Sequence, residues 1–115
     1  MGTRSNLFVE IEEDDYIGVY CHYDGYPEHM LEQIKFCSHE EIHQHILIGG
    51  MRGGYRLFSP KENKSELLGD AVASYVFDPE DAVVSDWSLD YVYVKCLDGS
   101  IKWTRRADGG KWIVE

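Results

Sequence analysis

The residues with the clearest chemical potential are the five histidines and two of the three cysteines, which all lie between residues 21 and 45. The run His39-Glu40-Glu41-Ile42-His43 matches the H-E-x-x-H pattern, in which two histidines on one helix face ligate zinc and the glutamate acts as general base. His39 and Glu40 lie in the first turn of a predicted helix, and His45 points to a different face of that helix. The pattern therefore supports a zinc-dependent hydrolase only as the third of three functional hypotheses.

A structural zinc site is the alternative use of the same cluster, with ligands drawn from Cys37, His39 or His43 and from His22 or Cys21. The chain has no C-x-x-C pair, and the spacing matches no standard closed site. An odd number of cysteines is typical of free thiols in a reducing compartment rather than of a disulfide framework. We therefore expect no bound metal, no other cofactor and no catalytic residues.

A second group of reactive side chains lies in the run from Cys21 to Pro27, between a predicted strand and a predicted helix. His22, Asp24 and Tyr26, with Arg4 on the neighbouring strand, could converge there to bind a nucleotide-like small ligand. The structural alternative is a lock in which Asp24 accepts bonds from turn amides and pairs with Arg4, while Gly25 adopts a positive φ. The residue types favour the lock, and ligand binding by the Asp24-Gly25-Tyr26-Pro27 region stays as the second functional hypothesis.

Charge is distributed unevenly along the chain, which has a formal net charge of −10. Residues 1–45 hold ten acidic and two basic side chains, a net charge of −8, whereas residues 46–115 hold eleven acidic and nine basic ones, a net charge of −2. One strongly negative surface is therefore expected, and its predicted binding residues are Glu12, Glu13, Asp14 and Asp15. Such a charge opposes the approach of phosphates, so direct binding of nucleic acid is not expected.

Four basic residues near the C-terminus alternate with two tryptophans, an arrangement that can bind nucleic acid or protein. We interpret them instead as sheet residues that balance nearby aspartates across strands. The basic residues are Lys102, Arg105, Arg106 and Lys111, and the tryptophans are Trp103 and Trp112.

Length and composition indicate one domain, residues 1–115, because 43% apolar residues can form one core whereas two half-length units would be marginal. No apolar run approaches the ~18 residues of a membrane-spanning helix, and the first residues do not read as a signal peptide. A cytoplasmic location is therefore expected.

The pattern of elements predicts an α+β fold. An antiparallel hairpin comprises strands at Leu7–Ile11 and Ile17–Tyr23. Two helices follow: Pro27 begins the first, and a Ser38–Glu41 capping box begins the second, which ends at Gly49-Gly50. A weaker helical pattern covers residues 65–76, and a three-stranded meander follows, with strands at Leu89–Leu97, Ser100–Arg105 and Lys111–Val114. The prediction is one antiparallel sheet with two or three helices on one face. Two separate small sheets are the alternative.

Two short motifs resemble a family of small bacteriophage and prophage proteins. The motifs are Thr3-Arg4-Ser5 and the run Val19-Tyr20-Cys21-His22-Tyr23-Asp24-Gly25-Tyr26-Pro27. The family's members open with a T-R-S segment and a strand, carry a Y-C-H-x-D-G-Y-P type of run, and continue with two helices. The similarity covers roughly residues 1–50, and it departs at Met30-Leu31, where members often carry glycine. The resemblance implies a phage origin and no particular activity.

The leading hypothesis is a non-enzymatic accessory protein of phage type that binds and inhibits a host protein through its acidic surface. The partner would be a defence protein, as for an anti-CRISPR inhibitor, or a nucleic-acid-processing protein with a basic groove. It would act in the host cytoplasm without contact with a membrane. The oligomeric state stays open, with a homodimer considered.

Overall fold

The computed structural model describes residues 3–69, 78–85, 89–108 and 111–115. The strands and helices in these ranges are β1 (Ser5–Glu12), β2 (Asp15–Tyr23), α1 (Pro27–Phe36), α2 (His39–Gly50), β3 (Tyr55–Leu57), β4 (Glu66–Leu67), α3 (Pro79–Ser85), β5 (Tyr91–Lys95), β6 (Ile101–Arg105) and β7 (Ile113–Val114). All of these strands join one sheet in the order β4-β3-β2-β1-β5-β6-β7. The α+β class is confirmed, and the strands form one sheet rather than two.

The sheet is mixed, and the prediction of a purely antiparallel sheet is wrong. β1 pairs antiparallel with β2 but parallel with β5, and β2 pairs parallel with β3. The parallel β2–β3 pair arises because α1 and α2 form a crossover between these strands. β1 occupies the centre because Leu7, Phe8 and Val9 are all fully buried, so both faces of this strand need a covering layer.

Helices cover both faces of the sheet, which corrects the expectation that all of them lie on one face. Leu7 and Val9 of β1 point toward α1 and α2, where Met30 and Ile46 complete the larger core. Phe8 points to the opposite face. There it packs in a smaller core with residues of α3, of β5 and of the segment just before β5: Ala82, Val83, Leu89, Val92 and Val94. The alternation of side chains along β1 thus divides the core into two halves.

The predicted capping box is confirmed at the start of α2. The Glu41 backbone N–H donates to Ser38 Oγ at 3.1 Å, and the Ser38 backbone N–H donates to Glu41 Oε1 at 2.9 Å. The helix ends at Gly50, as predicted. Gly49 is required there because a Cβ at this position would lie 2.5 Å from the ring of Tyr55. α2 can therefore lie close to β3.

The C-terminal meander forms as β5, β6 and β7, although β7 is shorter than the predicted strand. At the turn between β5 and β6 the positive φ falls on Gly99 alone. β4 replaces the first part of the helix predicted over residues 65–76, and residues 70–76 of that segment lie outside the described ranges. Among the described residues, no helix has the length and apolar character needed to cross a bilayer.

Candidate functional site

The acidic residues selected from the sequence lie at the turn between β1 and β2. Glu12, Glu13, Asp14 and Asp15 are all exposed, and Asp14 has a φ of 58°. The neighbouring Glu10 supports this turn: its Oε2 accepts a hydrogen bond from the Asp14 backbone N–H at 3.4 Å. Its Oε1 accepts one from the Leu97 N–H at 3.0 Å. Glu10 therefore ties the acidic turn to the loop between β5 and β6.

A cleft of about 350 Å³ adjoins this turn. It lies where the hairpin, the start of α3 and the middle of β6 meet, and it is lined by Asp14, Tyr16, Asp78, Pro79, Glu80 and Lys102. Carboxylates from two distant parts of the chain thus face one opening. Asp78 and Glu80 were not identified from the sequence, because nothing in their local pattern indicates that α3 crosses the sheet beside the hairpin.

A cation already lies against aromatic rings in the cleft. The Nζ atom of Lys102 is 5.6 Å from the ring centre of Tyr16 and 4.9 Å from that of Trp112. Trp112 is oriented by its Nε1–H, which donates to Glu80 Oε1 at 2.7 Å. Aromatic faces attract cations at such distances. The cleft therefore combines aromatic surface and negative charge, the two features that favour a bound cation.

Negatively charged side chains surround the Tyr16 hydroxyl in the cleft. Burial raises the pKa of Tyr16 above its ordinary value, and the charges of Glu10 and Asp14 raise it further. Negative neighbours disfavour a phenolate for the same reason that they favour a cation. Within the described ranges, the ion pairs shorter than 4 Å are Lys35–Glu115 and Lys61–Glu32, so none of the cleft carboxylates forms such a pair.

The second candidate group does not form the contacts expected of it. Arg4 is exposed, and its backbone, rather than its guanidinium, is anchored: its N–H donates to Asp90 Oδ2 at 3.1 Å, and its carbonyl accepts from the Asp90 N–H at 2.9 Å. The expected Arg4–Asp24 ion pair is not found among the described residues. The guanidinium is thus not held at the loop.

The loop before α1 is held by hydrogen bonds to the Gly25 backbone rather than by the expected contacts of Asp24. The positive φ of 55° falls on Asp24, not on Gly25. The Gly25 N–H donates to the Thr3 carbonyl at 2.8 Å, and the Gly25 carbonyl accepts from the Tyr93 hydroxyl at 2.6 Å. A Cβ on Gly25 would lie 2.6 Å from that Thr3 oxygen. Glycine is required there for close packing rather than for its φ.

His22 and Tyr26 also have local partners. His22 Nδ1 lies 2.7 Å from the Tyr20 hydroxyl, and its ring centre is 4.5 Å from that of Tyr23. Tyr26 immediately precedes α1, is 37% exposed, and has its ring 6.2 Å from that of His29. No hydrogen bond, ion pair or ring contact joins the side chains of Arg4, His22, Asp24 and Tyr26 to one another in the described parts of the chain.

Two histidines of the cluster considered for zinc binding contact backbone carbonyls. The His39 Nε2–H donates to the Glu10 carbonyl at 2.6 Å, and the His29 Nε2–H donates to the Phe58 carbonyl at 2.8 Å. His45 packs against Tyr55 and Phe58, and burial lowers its pKa. No three histidine, cysteine, aspartate or glutamate side chains lie together as a metal-binding group in the residues that the structure describes.

The thiols differ in their accessibility. Burial raises the pKa of Cys21 to about 12 and that of Cys37 to about 11, so both stay protonated at neutral pH. Cys96 is partly exposed.

Comparison of this chain with models of known protein families, with curated proteins and with solved structures finds no match. A function must therefore be inferred from the residues and their geometry.

Proposed function

We propose that the protein binds a basic surface of a partner protein through its acidic β1–β2 turn and the adjoining cleft. The observation that carries the proposal is the position of Asp14, which belongs both to the turn and to the wall of the cleft. The turn offers exposed carboxylates for steering, and the cleft offers a bounded place where one cationic side chain can insert.

Arginine is the side chain that suits this cleft best. Its guanidinium can form paired hydrogen bonds with a carboxylate such as Asp14 or Asp78 while its flat face stacks on Tyr16. The Lys102 ammonium beside Tyr16 and Trp112 supports this assignment, since a cation is already stable against these rings. A basic groove that binds nucleic acid is rich in arginine and would present several such side chains.

The resemblance to bacteriophage proteins suggests the class of partner. A phage protein that covers a basic groove would inhibit a host defence or nucleic-acid-processing protein by competing with its nucleic acid. This role requires no chemical step and no cofactor, and we propose it as a non-enzymatic activity in the host cytoplasm.

Calorimetric titration with an arginine-rich peptide tests the cleft directly. We compare the double substitution Asp14→Asn and Glu80→Gln with a matched control, Glu40→Gln and Glu66→Gln, which makes the same change in net charge at exposed positions elsewhere. Gln at position 80 can still accept the Trp112 hydrogen bond. The cleft variant should bind the peptide at least about ten-fold more weakly, and the control should differ little from the wild type. Equal weakening in both variants would show that only net charge matters and would refute a specific site.

Capture from bacterial lysate then tests the biological role. A captured protein supports the proposal only if the cleft variant fails to retain it, the control variant retains it, and added duplex DNA or RNA displaces it. A partner that both variants capture equally, or that nucleic acid does not displace, contradicts inhibition through this surface.

A further inference from the structure

β7 forms one outer edge of the sheet, and within the described ranges no other strand pairs with the outward side of this edge. The Glu115 N–H donates to the Ile101 carbonyl of β6 at 2.7 Å, and the Lys111 carbonyl accepts from Thr104 Oγ1 of β6 at 2.9 Å. Residues 111, 113 and 115 therefore direct their backbone groups toward β6. Because these directions alternate along an extended strand, the N–H and carbonyl groups of Trp112 and Val114 point away from the sheet.

The side chains of this edge are unusually apolar for an exposed strand. Ile113 is 44% exposed and Val114 is 69% exposed. Ile113 lies on the face covered by α1, as does Glu115, whose carboxylate is 3.6 Å from Lys35 of that helix. Val114 lies on the α3 face beside Trp112. An edge strand with free backbone groups and exposed apolar side chains is suited to pairing with another strand.

We propose that a second copy of this chain pairs with β7, antiparallel, about a two-fold axis at Ile113. Only residues with outward backbone groups can exchange hydrogen bonds, so within residues 111–115 the two-fold pairing has three registers. Pairing of Trp112 with Trp112 places Lys111 opposite Ile113, and pairing of Val114 with Val114 places Ile113 opposite Glu115. Pairing of Trp112 with Val114 instead places Lys111 opposite Glu115 of the second copy, twice per dimer.

In this third register, each residue from Lys111 to Glu115 faces a favourable partner in the second copy. Trp112 and Val114 exchange backbone hydrogen bonds with the second copy, and the exposed Val114 side chain packs on the partly buried Trp112 ring. Ile113 meets its own symmetry mate on the other face, between the two Lys111–Glu115 pairs. Such cross-strand pairs of opposite charge and of aromatic with β-branched residues are the favourable pairs in sheets.

Local charge allows this contact despite the net charge of the chain. Residues 101–115 contain four basic and two acidic side chains, so the acidic surface described above lies elsewhere. The contact is short, and it covers less surface than the ~1,200 Å² or more typical of stable complexes. We therefore expect a dimer that dissociates at micromolar concentrations.

Sedimentation velocity over a concentration series tests the proposal. The wild type should dimerise, and Lys111→Glu or Glu115→Lys alone should weaken the dimer at least ten-fold, because each places like charges opposite one another. An equimolar mixture of these two variants should restore a heterodimer, since every Glu then faces a Lys across the axis. Circular dichroism and thermal melts establish that each variant is folded, which matters for Glu115→Lys because it also removes the Lys35 ion pair.

Val114→Pro is the second test, because proline removes an N–H that points only toward the second copy and leaves the bonds to β6 intact. It should abolish dimerisation while the monomer stays folded. The proposal is overturned if the wild type stays monomeric throughout the series, if folded single variants dimerise as well as the wild type, or if the mixture forms no heterodimer.

Discussion

The Tyr93 hydroxyl donates a buried hydrogen bond to the Gly25 carbonyl at 2.6 Å, and this bond links β5 to the loop that starts α1. These residues are 68 positions apart in the chain. Burial raises the pKa of Tyr93 well above its ordinary range, so the hydroxyl remains a donor at all moderate pH values. The bond thereby connects the C-terminal meander with the helical layer.

Tyr93→Phe should destabilise the fold by about 1–3 kcal/mol, because it leaves the Gly25 carbonyl buried without its donor. Urea unfolding followed by circular dichroism measures the loss. Tyr91→Phe is the matched control: Tyr91 stacks on Tyr93 but is only partly buried. Equal losses from both substitutions would show that the hydrogen bond to Gly25 contributes no stability of its own, because phenylalanine preserves the ring stack at both positions.

Ser38→Ala should remove about 1 kcal/mol of stability through loss of the α2 cap. It should also raise the pKa of Glu41, which hydrogen bonds from the Ser38 backbone N–H and side chain now lower. A folded-state pKa below the unfolded one contributes stability above the unfolded pKa, and that stability is lost as the pH falls through the folded pKa. NMR titration of the Glu41 carboxyl in both proteins checks this, and an unchanged Glu41 pKa in the variant would contradict it.

One thiol should react quickly with a disulfide reagent in the native protein, and all three should react after unfolding. Cys96 is partly exposed, whereas Cys21 and Cys37 are buried with raised pKa values. Cys96→Ser should therefore abolish the fast phase. A fast phase that persists in this variant would show that the core around Cys21 or Cys37 opens readily.

Lys102→Met should strengthen binding of the arginine-rich peptide about two- to five-fold, since the Lys102 ammonium occupies the aromatic position that an incoming guanidinium needs. Lys64→Met, an exposed position in the loop before β4, makes the same change in charge and serves as the control. Calorimetry measures both. Weaker binding by the Lys102 variant alone would show that this lysine contributes to the site rather than competing for it.

Local features of the fold could be predicted from the sequence, and long-range pairings could not. The Ser38 cap, the end of α2 and the β1–β2 hairpin depend on residues close to one another in the chain. The parallel pairing of β1 with β5 depends on which distant strand covers the exposed edge of β1, and neither strand's own residues specify this. The uninterrupted apolar run Leu7-Phe8-Val9 does indicate that β1 lies in the interior of the sheet, because such a run is typical of a strand buried on both faces. It does not indicate which strand pairs with β1.

The candidate site likewise has a local part that could be predicted from the sequence and a long-range part that could not. The acidic turn was identified because its four carboxylates are consecutive. The cleft was not, because Asp78 and Glu80 reach it only through the crossing of α3. At the Asp24-Gly25 loop, the expected positive φ falls on Asp24 rather than on Gly25, and Gly25 is needed instead for the close approach of Thr3.

The central position of β1 has a consequence for synthesis on the ribosome. Ser5 pairs with Tyr91, so β1 is synthesised long before β5, the strand that covers its second edge. Until the C-terminal third emerges, Phe8 also lacks Val92 and Val94 against which to pack. Formation of the complete sheet should therefore follow synthesis of β5, β6 and β7. Stalled nascent chains that end before β5 should expose the unpaired edge and the apolar side chains of β1, and these exposed groups should recruit chaperones.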